Sequence, residues 1–208
     1  MVNIKIFFVI LFFVININAQ ASENQNSTVE LSERQKRLLK TLILQQNDKK
    51  VDQQKIIYAK IEKLTDGLGQ IYIGVIVNKS DLVTYLNALK DVLKDDYNDF
   101  RGYQAARDKH SFHITLLTPK EYQLANQSLI NNLISSDINN KISITLLGLG
   151  KVKQEAKQTY FIVAQSSDGQ SIRQRLLLKN KDFHLTLAFN KFDIYGVKKD
   201  KTTLITYL

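Results

Sequence analysis

The sequence predicts an α+β protein with two lobes of similar plan in one domain and an additional helix on the N-terminal side. Three observations carry that expectation. Runs with the two-residue period of strands alternate with runs of helical period. The order strand, helix, strand, a βαβ-type unit, can be read twice along the chain. Two pentapeptides, one closing each unit, nearly repeat each other: Phe112-His113-Ile114-Thr115-Leu116 and Phe183-His184-Leu185-Thr186-Leu187. At strand period each puts Phe, the aliphatic residue and Leu on one face, and His and Thr together on the other. Between them they hold two of the chain's three histidines.

Met1 to Ile15 has a single cation, Lys5, followed by an unbroken apolar run from Ile6 to Ile15. That run is short of the roughly 20 residues a bilayer span needs. Ala19-Gln20-Ala21 has the small-x-small form of a cleavage site before Ser22. Residues 1–21 are therefore expected to be a secretory signal peptide, with cleavage after Ala19 as an alternative. The mature chain is then secreted or periplasmic and keeps no stable membrane span. Residues 22–30 read as a flexible polar lead-in, and 31–208 as a single bilobal domain.

Ser32-Glu33-Arg34-Gln35 has capping-box form, and Leu31, Leu38, Leu39, Leu42 and Ile43 share one side of a helix reaching about Gln46. A turn at Asn47-Asp48-Lys49-Lys50 follows. Ile56 to Ile61 and Ile71 to Val77 read as strands joined by a hairpin-type turn at Asp66-Gly67-Leu68-Gly69. Ser80 is placed to cap a helix whose Leu82, Val83, Leu86, Leu89, Val92 and Leu93 line one face. Asp95 to Lys109 reads as a polar, aromatic-bearing loop leading into the first pentapeptide strand. Thr118-Pro119-Lys120-Glu121 opens another helix, with threonine as cap and proline in the first turn. That helix is expected to pack through Tyr122, Leu129, Ile130, Leu133 and Ile134. Ile142 to Leu149 and Thr159 to Ala164 then read as strands, Ser171 to Leu178 as a helix, and Phe183 to Phe189 as the second pentapeptide strand. Lys191 to Leu208 adds one or two closing strands.

The chain has no cysteine, which excludes thiol nucleophiles and cysteine-based zinc or iron–sulfur sites. An exported domain without disulfides must rely on its hydrophobic core. The formal charge of +9 fits an anionic partner, and equally fits lysines that only maintain solubility. A single strand histidine is ordinarily a half-buried side chain satisfied by a neighbouring carbonyl. Two on matched faces, each beside a threonine, point to chemistry instead. His110 has the wrong parity for that face and reads as a loop residue.

His113-Ile114-Thr115 and His184-Leu185-Thr186, each inside an apolar strand, resemble the paired His-x-Thr/Ser signatures of the two-histidine (2H) phosphoesterase superfamily. The continuation Leu117-Thr118-Pro119-Lys120-Glu121-Tyr122 looks most like its Swiss Army Knife branch. The resemblance covers roughly Ile71 to Phe189 and leaves the N-terminal helix outside. It implies a bilobal fold with antiparallel sheets around a central groove, lined by one pentapeptide strand from each lobe.

Phosphodiester hydrolysis needs a base for water and an acid for the departing oxygen. Imidazole, with an ordinary pKa of about 6.5, suits both tasks. His113 and His184 are the expected catalytic pair, and the hydroxyls of Thr115 and Thr186 are expected to bind the phosphate. No metal and no cofactor is required. Tyr97, Phe100 and Tyr103, interleaved with Arg101 and Arg107, either stack a base or pack over the first lobe. Lys151 is a further candidate for attracting phosphate. The expected function is a metal-independent phosphodiesterase acting on a 2′,3′-cyclic phosphate or another small nucleotide or RNA-derived phosphodiester. The alternative is a non-catalytic nucleotide-binding or surface-interaction module with the same fold.

Overall fold

The computed structural model describes residues 32–38, 40, 54–135 and 140–208. The expected leader (1–21), the lead-in (22–30) and the turn at 47–50 lie outside these residues, as does much of the expected N-terminal helix. Residues 33–38 are helical. Ser32 and Gln35 cap each other there: the Gln35 amide donates to Ser32 Oγ at 3.3 Å and the Ser32 amide to Gln35 Oε1 at 2.9 Å. Among the described residues no helix is long and apolar enough to cross a membrane.

The remaining residues form seven strands and five α-helices. In chain order these are β1 (Lys55–Thr65), β2 (Ile71–Ile76), α1 (Val83–Leu93), α2 (Tyr97–Asp108), β3 (His113–Leu117), α3 (Pro119–Leu124), α4 (Gln127–Ser135), β4 (Lys141–Gln154), β5 (Lys157–Gln165), α5 (Ser167–Arg175), β6 (Phe183–Phe189) and β7 (Leu204–Tyr207). All strands belong to one antiparallel sheet of order β1-β2-β3-β6-β5-β4-β7, and a further pairing of β1 with β4 closes it into a ring. The two halves of the chain meet inside this sheet, where β3 pairs with β6.

Local chemistry accounts for most elements. Asp66 Oδ1 accepts from the amides of Leu68 and Gln70, and Gly69 takes φ +79°, so the β1–β2 hairpin turns where the glycines allow. Thr118 and Glu121 form a full capping box with Pro119 in the first turn of α3. Ser166 caps α5 through the Gly169 amide, so that helix begins four residues earlier than expected.

Several expectations are corrected. Residues 97–108 are helix, not loop: only Phe100 and Gln104, four apart, are buried, a pattern with too few large apolar residues to announce a helix. Ser80 lies inside a 3₁₀ turn and caps nothing. The helix expected after Thr118 is two, because Asn126 accepts from the Ser128 and Leu129 amides and starts α4 afresh. Neither strand–helix–strand unit is parallel. Two helices separate β2 from β3, and a helix plus an extended return separates β5 from β6, so each crossover brings the chain back to an antiparallel neighbour.

One large core lies between the helices and one face of the sheet, holding Ile114, Leu116, Leu185 and Leu187 of the two motif strands together with Leu86 and Leu89 of α1 and Phe100 of α2. On the opposite face a small apolar group, Leu147, Phe161 and Val163, supports β5 and β6. Gly74, paired with Thr115, is the tight point of β2: a Cβ there would stand 2.7 Å from the Ile114 carbonyl oxygen. Gly74→Ala is therefore expected to destabilise the protein by about 1–3 kcal/mol, read as a lower urea midpoint with an unchanged m-value.

Candidate active site

The site follows from one pairing. Ile114 sits opposite Leu185 in the antiparallel β3–β6 ladder, and both point into the core. Carrying that register one residue either way puts His113 opposite Thr186 and Thr115 opposite His184, all four on the face away from the helices. The two histidines occupy diagonal corners of this quartet, about 7 Å apart at the backbone. Imidazoles at that separation can flank one small group bound between them.

Each motif strand also bulges just after its threonine. Gly74 pairs with Thr115 but Ile73 with Leu117, so Leu116 is the extra residue in β3. Phe161 pairs with Thr186 but Tyr160 with Ala188, so Leu187 is the extra residue in β6. A bulge lets consecutive residues turn inward, and Leu116, Leu117, Leu187 and Ala188 are all fully buried.

The surroundings of the two histidines differ. His113 packs its ring 5.5 Å from that of Tyr72. Burial lowers its pKa from the ordinary value, opposed by the negative charges of Asp108 and Asp193 and aided by Arg107. His184 lies edge-on to Phe161 at 5.8 Å, and its Nδ1 is buried without a hydrogen-bond partner. Burial, with the positive charges of Lys199 and Lys181, pushes its pKa down to about 3 against the weaker pull of Asp193. Tyr72 is held neutral by burial, its phenol pushed up to about 12.

A buried ion network adjoins Thr186. Asp193 accepts from Lys199 Nζ at 3.1 Å, Thr159 Oγ1 at 2.9 Å, the Arg107 guanidinium and, at a long 3.4 Å, Thr186 Oγ1. Burial would raise the Asp193 carboxyl, but Lys199 and Arg107 hold it below its ordinary value. Thr115 has no such tether among the described residues.

The other sequence candidates separate. Arg107 belongs to the network, bonded to Asp108, Asp193 and the exposed Tyr195 hydroxyl. Arg101 is engaged with Gln104 and the Leu187 carbonyl, its guanidinium 4.8 Å above the Phe112 ring. Phe100 is a correction: it is buried in the core against Tyr160 and is not available to stack a ligand. Tyr97 likewise packs on the core, Tyr103 is exposed, and Lys151 lies over the Tyr160 ring at 5.0 Å. Sequence reasoning missed Asp193 and Lys199, which sit in irregular chain with no periodicity to mark them. Tyr72 was accessible from alternation with Gly74, the neighbour of Thr115. Among the described residues no group of three or more His, Asp or Glu side chains is placed to hold a metal ion.

An antiparallel sheet that presents two His-Thr pairs on adjacent strands offers the groups that phosphoester chemistry calls for. The family model for the Swiss Army Knife 2H phosphoesterase domain matches residues 71–195, which span β2 to the segment beyond β6, and the chain belongs to that family. Its members act on phosphodiesters. No curated protein and no solved structure matches the chain.

The lowered histidine pKa values have a stability consequence. The unfolded chain titrates near 6.5, so below that pH it binds protons that the folded His184 refuses until about pH 3. Stability therefore falls as pH drops from 6.5, by at most about 1.4 kcal/mol per pH unit for this group. His184→Gln should flatten that slope between pH 6.5 and 4 in urea titrations. An unaltered slope would mean that His184 is not held neutral by its surroundings.

Proposed function

We propose that the protein is a metal-independent phosphodiesterase that hydrolyses a 2′,3′-cyclic phosphate or another small nucleotide or RNA-derived phosphodiester. The observation that carries this is the quartet: two imidazoles on diagonal corners with two hydroxyls on the others. His184 is the general base. It stays unprotonated beside Lys199 and Lys181, so it is free to accept a proton, and the negative charge of a bound phosphodiester raises its basicity. His113 is the general acid: burial lowers its pKa, but the charges of Asp108 and Asp193 oppose that shift, and an incoming phosphodiester anion favours the protonated form.

In the forward step water attacks phosphorus as His184 takes its proton. The phosphorus–oxygen bond to the 2′ or 3′ position breaks as His113 delivers a proton to that oxygen. Thr115 and Thr186 donate to the non-bridging oxygens as charge redistributes, Thr186 by turning from its long contact with Asp193. The exposed Tyr195, beside Arg107 and Lys199, offers a surface for the base of a nucleotide. The apolar run and small-x-small site of residues 1–21 support a secreted or periplasmic location, where such an enzyme would degrade or scavenge extracellular nucleotides.

With 2′,3′-cyclic nucleotides in the presence of a chelator, His113→Ala and His184→Ala are each expected to lower kcat/KM by about 10²–10⁴-fold. A nitrophenyl diester, whose leaving oxygen needs no proton, should restore turnover to His113→Ala and leave His184→Ala slow. The reverse rescue would exchange the two roles, and saturable binding without turnover in the wild type would favour a binding module.

Burial lowers both imidazoles in the free enzyme. The bell-shaped kcat/KM profile should therefore peak on the acid side of pH 6.5, and a peak above pH 8 would contradict the assignment.

A further inference from the structure

Each bulge carbonyl accepts a hydrogen bond from an arginine that belongs to the other half of the chain. On β3, the Leu116 carbonyl accepts from Arg173 Nη1 at 2.6 Å, and Arg173 lies on α5, between β5 and β6. On β6, the Leu187 carbonyl accepts from Arg101 Nη1, and Arg101 lies on α2, between β2 and β3. The bracing is thus crossed, and it falls one residue past each motif threonine.

Both arginines are themselves fixed. Arg173, 2% exposed, donates through Nη2 to Glu121 Oε1 at 2.7 Å and through Nε to the Lys179 carbonyl at 2.8 Å. Glu121 is anchored in turn by the Thr118 amide at 2.9 Å, and despite burial Arg173 keeps its carboxyl down at about 2. Arg101 is held by the fully buried Gln104 and by Phe112, the residue before His113. Gln104 also donates to the Ser111 carbonyl at 3.0 Å, so α2 grips both motif strands.

A bulge interrupts the ladder, and its carbonyl, if buried, needs another donor. A guanidinium supplies a charge-assisted bond of fixed direction. The placement matters because strand parity changes at the bulge. Upstream, His and Thr face the open side. Losing the bulge while the residues beyond it keep their pairing would shift the upstream register by one and turn that pair toward the core.

We propose that Arg101 and Arg173 are positioning residues that pin the two bulges and so aim the quartet, Arg101 acting on His184 and Thr186 and Arg173 on His113 and Thr115. The kinetic part of this inference rests on the phosphodiesterase reading, whereas the structural part does not. The crossed assignment distinguishes it from general support of the fold, which would disturb both histidines alike or neither.

The test uses the intact chain labelled with ¹⁵N-histidine. Arg101→Met should move the ring resonances of His184 more than those of His113, and Arg173→Met the reverse. Both should lower kcat by about 10–100-fold with KM within about twofold, and Arg→Lys, which keeps a charged donor, should recover part of the loss. Where a Met variant does not fold, the Gln variant, which keeps one amide donor, is judged by the same criterion. Ring resonances that stay put in folded variants, that move equally, or that follow the arginine's own half of the chain overturn the inference. If the wild type lacks turnover, the phosphodiesterase reading fails while the ring resonances still decide this one.

Discussion

The ladder between β3 and β6 is the constraint on which the remaining structure depends. Antiparallel pairing of two nearly identical pentapeptides creates a local two-fold relation about Ile114 and Leu185, so what one strand presents the other presents in reverse. Alternation then sends the aliphatic residues to the core and the His-Thr pairs to the opposite face. The hydrophobic effect holds the arrangement from beneath: Ile114, Leu116, Leu185 and Leu187 are fully buried, and any slip of one residue would exchange them for four polar side chains. The placement of the four polar side chains is therefore specified by the same contacts that stabilise the sheet.

That symmetry ends at the side chains around the quartet. Residues 190–200, which follow β6 without a counterpart after β3, bring Asp193 and Lys199 beside Thr186 and His184. Ile194 is pinned there by its amide bond to Thr159 Oγ1 at 3.0 Å, and the Asp193–Lys199 pair is almost wholly shielded from water. Ion pairs so buried are costly to form, and this one is supported by Arg107 and Thr159 on the remaining carboxylate positions. Its effect is to give two chemically identical imidazoles different neighbours: Asp108, Arg107 and Asp193 act on His113, and Lys199, Lys181 and Asp193 on His184. The proposed division into acid and base draws on that inequality.

How much of this was legible in the sequence depended on the range of the interactions. Phe183 to Phe189 was readable to the residue because strand parity is local, and so was the Thr118-Pro119-Lys120-Glu121 cap, whose bonds span three residues. The pentapeptides likewise marked His113, Thr115, His184 and Thr186 for one face. What failed was whatever needs a partner far along the chain. Tyr97 to Asp108 carries only two buried residues and reads as loop until β6 is there to pack against it. Arg101 reads as part of a loop that either stacks a base or packs over the first lobe, and nothing nearby in sequence signals that its acceptor is the Leu187 carbonyl. Asp193 is similar: it is one acid in an irregular segment until Arg107 and Lys199 converge on it.

The charges gathered at the site also bear on what it can hold. Arg107, Lys199 and Lys181 bring three positive charges, and Asp108 and Asp193 return two, so the surroundings leave one in excess while both imidazoles are neutral. A phosphodiester carries one negative charge, whereas a phosphomonoester approaches two near neutral pH. In a partly buried setting an unmatched charge is costly. The balance therefore matches a diester better than a monoester, in keeping with the phosphodiesters on which the family acts.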